Sequence, residues 1–413
     1  MKVLLQHNAL NVEEWLEQHY LDGNGIVYTF LDKQTCQPPE EALFHDTGPR
    51  KNVWDFSVEG FSRSEVAAYE NCGMCTGSYL QALLFRYRVE KDSVALDRAG
   101  RCFRALCYIY ELGKQFEEGF FPKIYGNRFS YETSTDQVLY TVMALDKFYE
   151  YAAPQEQAAI RVMIPNMVMF WVKRNYRYTY FGRQDMQWPL VRFPSLLLLA
   201  YQYSGTEKFR KEYDRLLAQG LTREPEYTTI ARRKKPDDYE FKHGAWLING
   251  MADSFTMDVI ELDYLLTNDS RNRLYPAWKE SVLEIWNDAK LTLAPNGKYY
   301  TQVWVDLKTG EIRRLPCGEE DSYQPGVESG WSTMIVRGAV TAAKYYPGNE
   351  IIKNAVIKVL RSLGIKDLTY YDEPDRLLPE YRFKTRFLSG DSITNWLWAY
   401  WQGRYQNLIT ETE

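Results

Sequence analysis

Acidic residues stand at the predicted starts of several apolar helices, and one segment shows the arrangement most clearly. Residues 131–140 read Tyr-Glu-Thr-Ser-Thr-Asp-Gln-Val-Leu-Tyr. Ser134 and Gln137 have the spacing of a capping box, in which the Ser oxygen accepts a backbone N–H and the Gln side chain reaches back. Such a cap leaves the carboxylate of Asp136 in the first helical turn without a structural task. Asp136 is therefore the leading catalytic candidate.

Five other acids occupy similar positions. The complete set of acids near predicted helix starts is Glu70, Asp136, Asp185, Asp253, Glu328 and Asp391. Glycoside cleavage uses two carboxyl groups, one to protonate the leaving oxygen and one to act as base or nucleophile. Such a pair could instead hydrate the double bond of an unsaturated uronate. We predict Glu70 as the partner of Asp136, although capping and helix-dipole stabilisation are the ordinary uses of an acid at such a position.

Polar and aromatic side chains in the same segments are predicted to bind substrate. A uronate would require a cation, and arginine can hold a carboxylate through two parallel hydrogen bonds. Aromatic rings could stack on sugar faces, while burial in the core is their alternative use. The predicted substrate-binding residues are Arg183, Asp185, Trp188, Arg192, His243, Trp246, Tyr323, Glu328, Trp331 and Asp391.

The composition narrows the class of partner. Aromatic residues make up 15% of the 413 residues, including 32 Tyr and 12 Trp, which favours aromatic-lined grooves of the kind that bind sugars. The net charge of -5 argues against nucleic acid, since binding to phosphates requires a basic surface. We therefore expect an oligosaccharide partner and no nucleic acid. Exposed aromatic residues on the outer face would favour a homodimer.

Cysteine usage and hydropathy bear on compartment and cofactors. The six Cys are spread thinly, which is typical of the reducing cytoplasm, and the first residues lack the apolar run of a signal peptide. No stretch of about 18 apolar residues is present, so no membrane span is expected. Cys72 and Cys75 form a single C-x-x-C without a second ligand pair, so we expect neither a metal site nor a cofactor.

The apolar periodicity predicts pairs of helices joined by short turns. Leu80, Leu83, Leu84 and Tyr87 show the helical spacing. The predicted helices are Asn11–Tyr20, Thr76–Glu90, a second helix ending near Leu112, Thr135–Ala152, a partner from Pro154, Pro189–Tyr203, a helix ending near Gln219, Met251–Leu266, Ser270–Lys290, Ser329–Tyr346, Asn349–Leu363 and Ser389–Arg404.

Six inner helices ringed by six outer ones form an all-α (α/α)6 toroid. We expect one domain, residues 1–413, in which the N-terminal helix closes the ring beside the unpaired last helix. An open α-solenoid of the same hairpins is the alternative. We also predict a strand within Gly23–Asp32 as part of a small hairpin, and a β-hairpin formed by Tyr299–Trp304 and Glu311–Arg314.

The helix pattern resembles that of the α/α-toroid glycoside hydrolases. Glu70-Asn71 precedes Gly77-Ser78-Tyr79-Leu80, and Ser134-Thr135-Asp136-Gln137 precedes the second inner helix. The resemblance is to unsaturated glucuronyl and rhamnogalacturonyl hydrolases and to toroidal β-glucuronidases. It implies that Glu70 and Asp136 correspond to a catalytic pair, with Asp136 as general acid and base. This sequence has Glu where those hydrolases usually have Asp, and Gln137-Val138 where they have aromatic and Gly neighbours.

We therefore expect a glycoside hydrolase that acts on a short, uronic-acid-containing oligosaccharide. A polysaccharide lyase or sugar epimerase on the same toroid, using His243 and a Tyr as acid and base, is the alternative enzyme. A glycan-binding toroid without catalysis is the third hypothesis.

Overall fold

A ring of helical hairpins forms the protein. The computed structural model describes residues 5–47, 56–180, 183–188, 190–218, 241–242, 245–249, 252–289, 302–306, 312–313, 332–369 and 379–413. The helices are α1 (Leu5–His19), α2 (Arg63–Tyr69), α3 (Cys72–Glu90), α4 (Ser93–Gly113), α5 (Thr135–Phe148), α6 (Pro154–Lys173), α7 (Pro194–Ser204), α8 (Glu207–Ala218), α9 (Ala252–Asn268), α10 (Tyr275–Ala289), α11 (Ser332–Tyr345), α12 (Glu350–Ser362) and α13 (Gly390–Tyr405).

The inner helices are α3, α5, α7, α9, α11 and α13. Helix α3 contacts both α5 and α13, α11 contacts α9 and α13, and α7 contacts α9. Each of the first five is followed by an outer partner, from α4 through α12 in alternation. The inner helices are apolar on most of their circumference because they have neighbours on several sides, whereas outer helices such as α8 and α12 bury a single face. The fold is an α/α toroid, as the sequence predicts.

Helix α1 packs beside the first and last hairpins. It lies against α13 and is linked by charge to α3 and α4. The carboxylate of Glu13, whose side chain is buried, accepts hydrogen bonds from Arg86 at 2.6 Å and Arg98 at 2.7 Å. Burial raises the pKa of Glu13, while the two guanidinium groups act in the opposite direction. Closure of the ring by this helix stays a prediction.

Local sequence sets the short turns inside the hairpins. Helix α3 ends at Lys91, which has the left-handed φ of 57° typical of a helix C-cap. Asp92 then begins α4 by accepting the backbone N–H of Val94 on its carboxylate. Short turns of this kind place all long connections at the opposite end, where the inner helices begin.

Short antiparallel strands lie in these connections. They are β1 (Phe30–Asp32), β2 (Ile124–Tyr125), β3 (Arg128–Phe129), β4 (Arg177–Tyr180), β5 (Arg183–Gln187), β6 (Phe241–Lys242), β7 (Ala245–Asn249), β8 (Gln302–Asp306), β9 (Ile312–Arg313) and β10 (Phe387–Ser389). Strands β8 and β9 confirm the predicted hairpin and extend β6–β7 into a four-stranded sheet.

The strand predicted within Gly23–Asp32 is confirmed only in part. An isolated antiparallel bridge joins Leu21 and Val27 locally, whereas β1 pairs with β10 near the other end of the chain. The backbone N–H of Gly390 donates to the carbonyl of Thr29 at 2.7 Å. A Cβ at Gly390 would lie 2.1 Å from the carbonyl oxygen of Tyr28, so only glycine permits this approach. A contact between residues so far apart in sequence leaves no local signal.

Four helix starts differ from the predicted positions by four residues or more. Helix α1 begins at Leu5 rather than Asn11, α3 at Cys72 rather than Thr76, and α10 at Tyr275 rather than Ser270. Helix α7 begins at Pro194 rather than Pro189, after a 3-10 turn at Leu190–Arg192. Within the described part of the chain, no helix combines the length and apolar character needed to cross a membrane.

Candidate functional site

Three carboxyl groups meet at the end of the ring where the inner helices begin. Glu70 precedes α3, Asp136 lies in the first turn of α5, and Asp391 lies in the first turn of α13. Helix α3 stands between α5 and α13, and the charges of Glu70 and Asp136 both act on Asp391. The structure therefore brings together the predicted catalytic pair and a third acid.

Asn71 joins these three helices. Its side-chain Nδ2 donates to Oδ2 of Asp391 at 3.1 Å, and its Oδ1 accepts from Nε2 of Gln137 at 3.2 Å and Nζ of Lys123 at 3.3 Å. Its backbone N–H donates to Oγ1 of Thr29 at 2.7 Å. Because every polar atom of the amide side chain is engaged, Asn71 fixes the positions of the surrounding groups.

The capping box predicted for α5 is wrong. Ser134 has an extended backbone and makes no side-chain cap, and its buried hydroxyl has no hydrogen-bond partner among the described residues. Gln137 instead reaches across to α3, where its Oε1 accepts the backbone N–H of Met74 at 3.1 Å. Gln137 therefore caps the neighbouring helix, which lacks a side-chain cap of its own.

Close packing at this contact requires glycine at position 73. A Cβ there would lie 2.6 Å from Oε1 of Gln137 and 3.1 Å from the ring of Phe121. The glycine in the first turn of α3 thus leaves room for the side chain of Gln137 from α5.

Replacing Gln137 by Leu is expected to lower the free energy of unfolding by about 1–3 kcal/mol, because the N–H of Met74 is left buried without an acceptor. Denaturant unfolding measures the change. Gln157→Leu is the matched control. Gln157 lies on outer helix α6, and among the described residues its side chain donates to the carbonyl of Tyr149. Removing this hydrogen bond should lower the free energy of unfolding by less than about 0.5 kcal/mol. Equal losses in both variants would refute the cross-helix cap.

Glu70 is held by a buried lysine. Nζ of Lys123 lies 2.7 Å from Oε1 of Glu70 and donates to the Glu70 carbonyl at 3.0 Å. The side chain of Lys123 is 2% exposed and that of Glu70 is 16% exposed. Lys123 comes from the connection before β2, so the loop between the first two hairpins supplies the charge that balances Glu70.

Asp391 is buried and accepts hydrogen bonds from Cys75 and Asn71. Burial raises its pKa to about 7, while hydrogen bonds from Cys75 and Asn71 lower it and the nearby Glu70 and Asp136 raise it further. The thiol of Cys75 donates to Oδ1 of Asp391 at 2.9 Å. Burial and the charge of Asp391 raise the pKa of Cys75 well above its usual range, so the thiol acts as a neutral donor.

Asp136 differs from the other two acids. Its side chain is partly exposed, and within the described residues its carboxylate makes no hydrogen bond or ion pair. The adjacent Oγ1 of Thr135 accepts from Arg192 at 3.0 Å, which places a guanidinium beside the start of α5. The structure thus brings the predicted Arg192 to the same end of the ring as Asp136.

The remaining predicted residues divide into three groups. The ring of Trp188 is 5% exposed and packs on Trp171, 5.5 Å between centroids, so it belongs to the core. The backbone of Arg183, Asp185 and Trp246 lies in strands β5 and β7, and Asp253 lies in α9, but the positions of their side chains are outside the described structure. The predicted residues that lie outside the described part of the chain are His243, Tyr323, Glu328 and Trp331. Their roles stay predictions.

Sequence reasoning missed Asn71, Cys75 and Lys123 as members of this site. Asn71 carried one usable signal, its position beside Glu70 directly before a helix. Cys75 was considered only as half of a metal-binding pair, yet both Cys72 and Cys75 are buried free thiols. Lys123 lies in a connection with no motif, so only the folded chain reveals its contact with Glu70.

Comparisons with known proteins agree on the fold. No family model matches the sequence, and no curated protein sequence matches it. Among solved structures, a glycosyl hydrolase family 88 protein from Bacteroides vulgatus superposes with a TM-score of 0.52 at 10% identity, covering 81% of this chain and 92% of that chain.

Two further similar structures are sugar-converting enzymes. A D-mannose isomerase has a TM-score of 0.52 at 8% identity, covering 98% of this chain and 97% of that chain. Cellobiose 2-epimerase from Bacillus thermoamylovorans B4167 has a TM-score of 0.50 at 12% identity, covering 95% and 98%. The chain therefore has the α/α-toroid fold found in these sugar-acting enzymes.

Proposed function

We propose that the protein is a glycoside hydrolase that acts on a short, uronic-acid-containing oligosaccharide, with Asp136 as general acid and base. One observation carries the proposal. Of the three clustered acids, Asp391 is buried and the partly exposed Glu70 is paired with Lys123, whereas the partly exposed Asp136 makes no hydrogen bond or ion pair within the described residues. A group that transfers a proton to substrate must be free to reach it, and Asp136 meets this condition.

The other two acids support Asp136 in different ways. Glu70, paired with Lys123, supplies a fixed second carboxylate that could orient water or stabilise positive charge on the sugar. Burial raises the pKa of Asp391 to about 7, so that below this pH it adds less negative charge near Asp136 than an ordinary carboxylate would. The cluster therefore concentrates proton transfer on one carboxylate.

Arg192 supports a uronate as the sugar. Its guanidinium donates to Thr135, next to Asp136, and arginine is the side chain whose planar fork matches the geometry of a substrate carboxylate. A uronate held there would lie beside the proton-transferring group. Glycoside cleavage and hydration of an unsaturated uronate are both compatible with this arrangement.

Arg192→Gln is expected to raise KM for a uronic-acid disaccharide by about tenfold to a hundredfold, because charged hydrogen bonds contribute about 1.5–3 kcal/mol. The KM for a neutral disaccharide should change little. Steady-state kinetics on both substrates measure the difference. Arg161→Gln is the control, since Arg161 lies on outer helix α6 and donates to the hydroxyl of Tyr149 at the end of α5. An equal loss on neutral and charged substrates would remove Arg192 from carboxylate recognition.

Epimerisation or isomerisation is the second candidate, because two of the similar structures are a D-mannose isomerase and a cellobiose epimerase. Such chemistry moves a proton on carbon and leaves the glycosidic bond intact. Incubation with unsaturated and saturated uronic-acid disaccharides tests the proposal. Loss of ultraviolet absorbance would accompany hydrolysis of an unsaturated uronate, whereas a new absorbance from a C=C bond would indicate a lyase.

A further inference from the structure

A cavity opens at the opposite end of the ring, where the inner helices end. Its volume is about 580 Å³, within the range of small-molecule sites. The C-terminal halves of α3, α5, α9, α11 and α13 line it. Asp136 and Lys147 are 11 residues apart on α5, which corresponds to about 16 Å along the helix axis. The cavity is therefore distinct from the candidate active site.

A layer of buried polar and aromatic groups separates the two ends. Arg337, which is fully buried, donates to Ser78 at 3.0 Å and to Asn395 at 2.9 Å. Its guanidinium carbon lies 4.0 Å from the ring centroid of Trp398 and 4.7 Å from that of Tyr140. This packing fills the middle of the ring between the two sites.

The charges that line the cavity balance. Arg88 pairs with Glu150 at 3.0 Å, and Lys344 pairs with Asp263 at 2.8 Å. The lining also includes Asp146 and Lys147, which carry opposite formal charges. Three cations thus face three acids, so the cavity favours a neutral ligand over an ion.

Polar side chains in the cavity wall lack partners. Gln402 and Gln406 line the cavity, and their Oε1 atoms are buried in its wall without a hydrogen bond in the described part of the chain. Lys147 likewise makes no hydrogen bond or ion pair there, while Asp146 accepts from the hydroxyl of Tyr203 at 3.0 Å. Burial lowers the pKa of Lys147, which the nearby Asp263 and Asp146 counteract. A wall that holds both unpaired donors and unpaired acceptors suits hydroxyl groups, because a hydroxyl both donates and accepts.

Aromatic rings complete the wall. Phe85 packs edge-on against Trp398 at 5.6 Å and lies 5.6 Å from Tyr405, and all three rings line the cavity. The apolar C–H face of a sugar fits such rings. We infer that the cavity binds a neutral, polyhydroxylated molecule of mono- or disaccharide size. This inference does not depend on the proposed hydrolysis, because it rests on a different set of residues.

The inference is tested by measuring the binding of cellobiose and maltose to the full chain with saturation-transfer NMR and titration calorimetry. Glucuronate serves as the charged ligand for comparison. Lys147→Met and Gln402→Leu are expected to weaken binding of the neutral sugar at least tenfold. Lys173→Met is the matched control on the exposed end of α6 and should bind like the parent. Unchanged thermal melting of each variant establishes that it is folded.

The result separates this site from the active site. Asp136→Asn should bind the neutral sugar at this cavity like the parent, and Lys147→Met should keep the parent turnover. Binding that survives in both cavity variants would assign the sugar to the other end of the ring and overturn the inference. The inference is also overturned if neither cellobiose nor maltose binds, or if glucuronate binds more tightly than both. None of these results bears on turnover by Asp136.

Discussion

Replacing Asp136 by Asn should lower kcat by about 10²–10⁴-fold, the usual contribution of general acid–base catalysis. Asn keeps the shape of the side chain but neither gives nor takes a proton at the relevant pH. Because Asp136 makes no hydrogen bond or ion pair in the described structure, its replacement should leave the fold and substrate binding nearly unchanged. The loss should thus appear in kcat and not in the dissociation constant.

Steady-state kinetics and direct binding measurements distinguish the two effects. Asp97→Asn serves as the control, since Asp97 is exposed on outer helix α4. It should retain full activity. If Asp136→Asn turns over substrate at the parent rate, Asp136 has no part in the chemistry. If it unfolds more easily by several kcal/mol, Asp136 is a structural residue.

The second large effect concerns stability and pH at Asp391. Burial raises the pKa of its folded-state carboxyl from 3.8 to about 7. Between these values the folded chain holds a proton that the unfolded chain has released, so stability falls as the pH rises. The shift corresponds to about 4 kcal/mol, lost progressively between about pH 4 and pH 7. Above pH 7 the contribution of this pKa shift is constant.

Asp391→Asn should remove this dependence. Its free energy of unfolding, relative to the parent, should increase by up to about 4 kcal/mol from pH 4 to pH 8. Denaturant unfolding at a series of pH values gives the free energy of unfolding of the variant and of the parent. Subtracting one from the other cancels the contributions of the other titrating groups. For the exposed Asp97→Asn variant, the plot of free energy of unfolding against pH should run parallel to that of the parent. A parallel curve for Asp391→Asn as well would show that the Asp391 pKa is not raised in the folded protein.

The architecture could be predicted because it depends on local patterns. Helices that are buried on most sides, such as Pro194–Ser204, have continuous apolar sequences. Outer helices such as Glu207–Ala218 have amphipathic sequences. Short turns between partners then imply antiparallel hairpins. The number of hairpins follows from this order, without knowledge of any single contact.

The site could be predicted only in part, because its bonds cross between helices. The positions of Glu70, Asp136 and Asp391 follow from being near helix starts at one end of the ring. The hydrogen-bond partner of Gln137 could not be predicted in this way. The sequence suggests a cap within α5, but in the folded chain Gln137 caps the start of the neighbouring α3 instead. Likewise, the contact of Lys123 with Glu70 depends on how a connection without a motif is folded.

The central claim is that this toroid cleaves a bond between two sugars with Asp136 as the proton-transferring group. Proton NMR of the chain incubated in D2O with a panel of uronic-acid disaccharides tests it most directly, with Asp136→Asn in parallel. We predict that separate signals of two released sugars appear with the parent chain and not with the variant. A disaccharide that stays intact while its C2 proton is exchanged or inverted would contradict cleavage and identify an epimerase or isomerase.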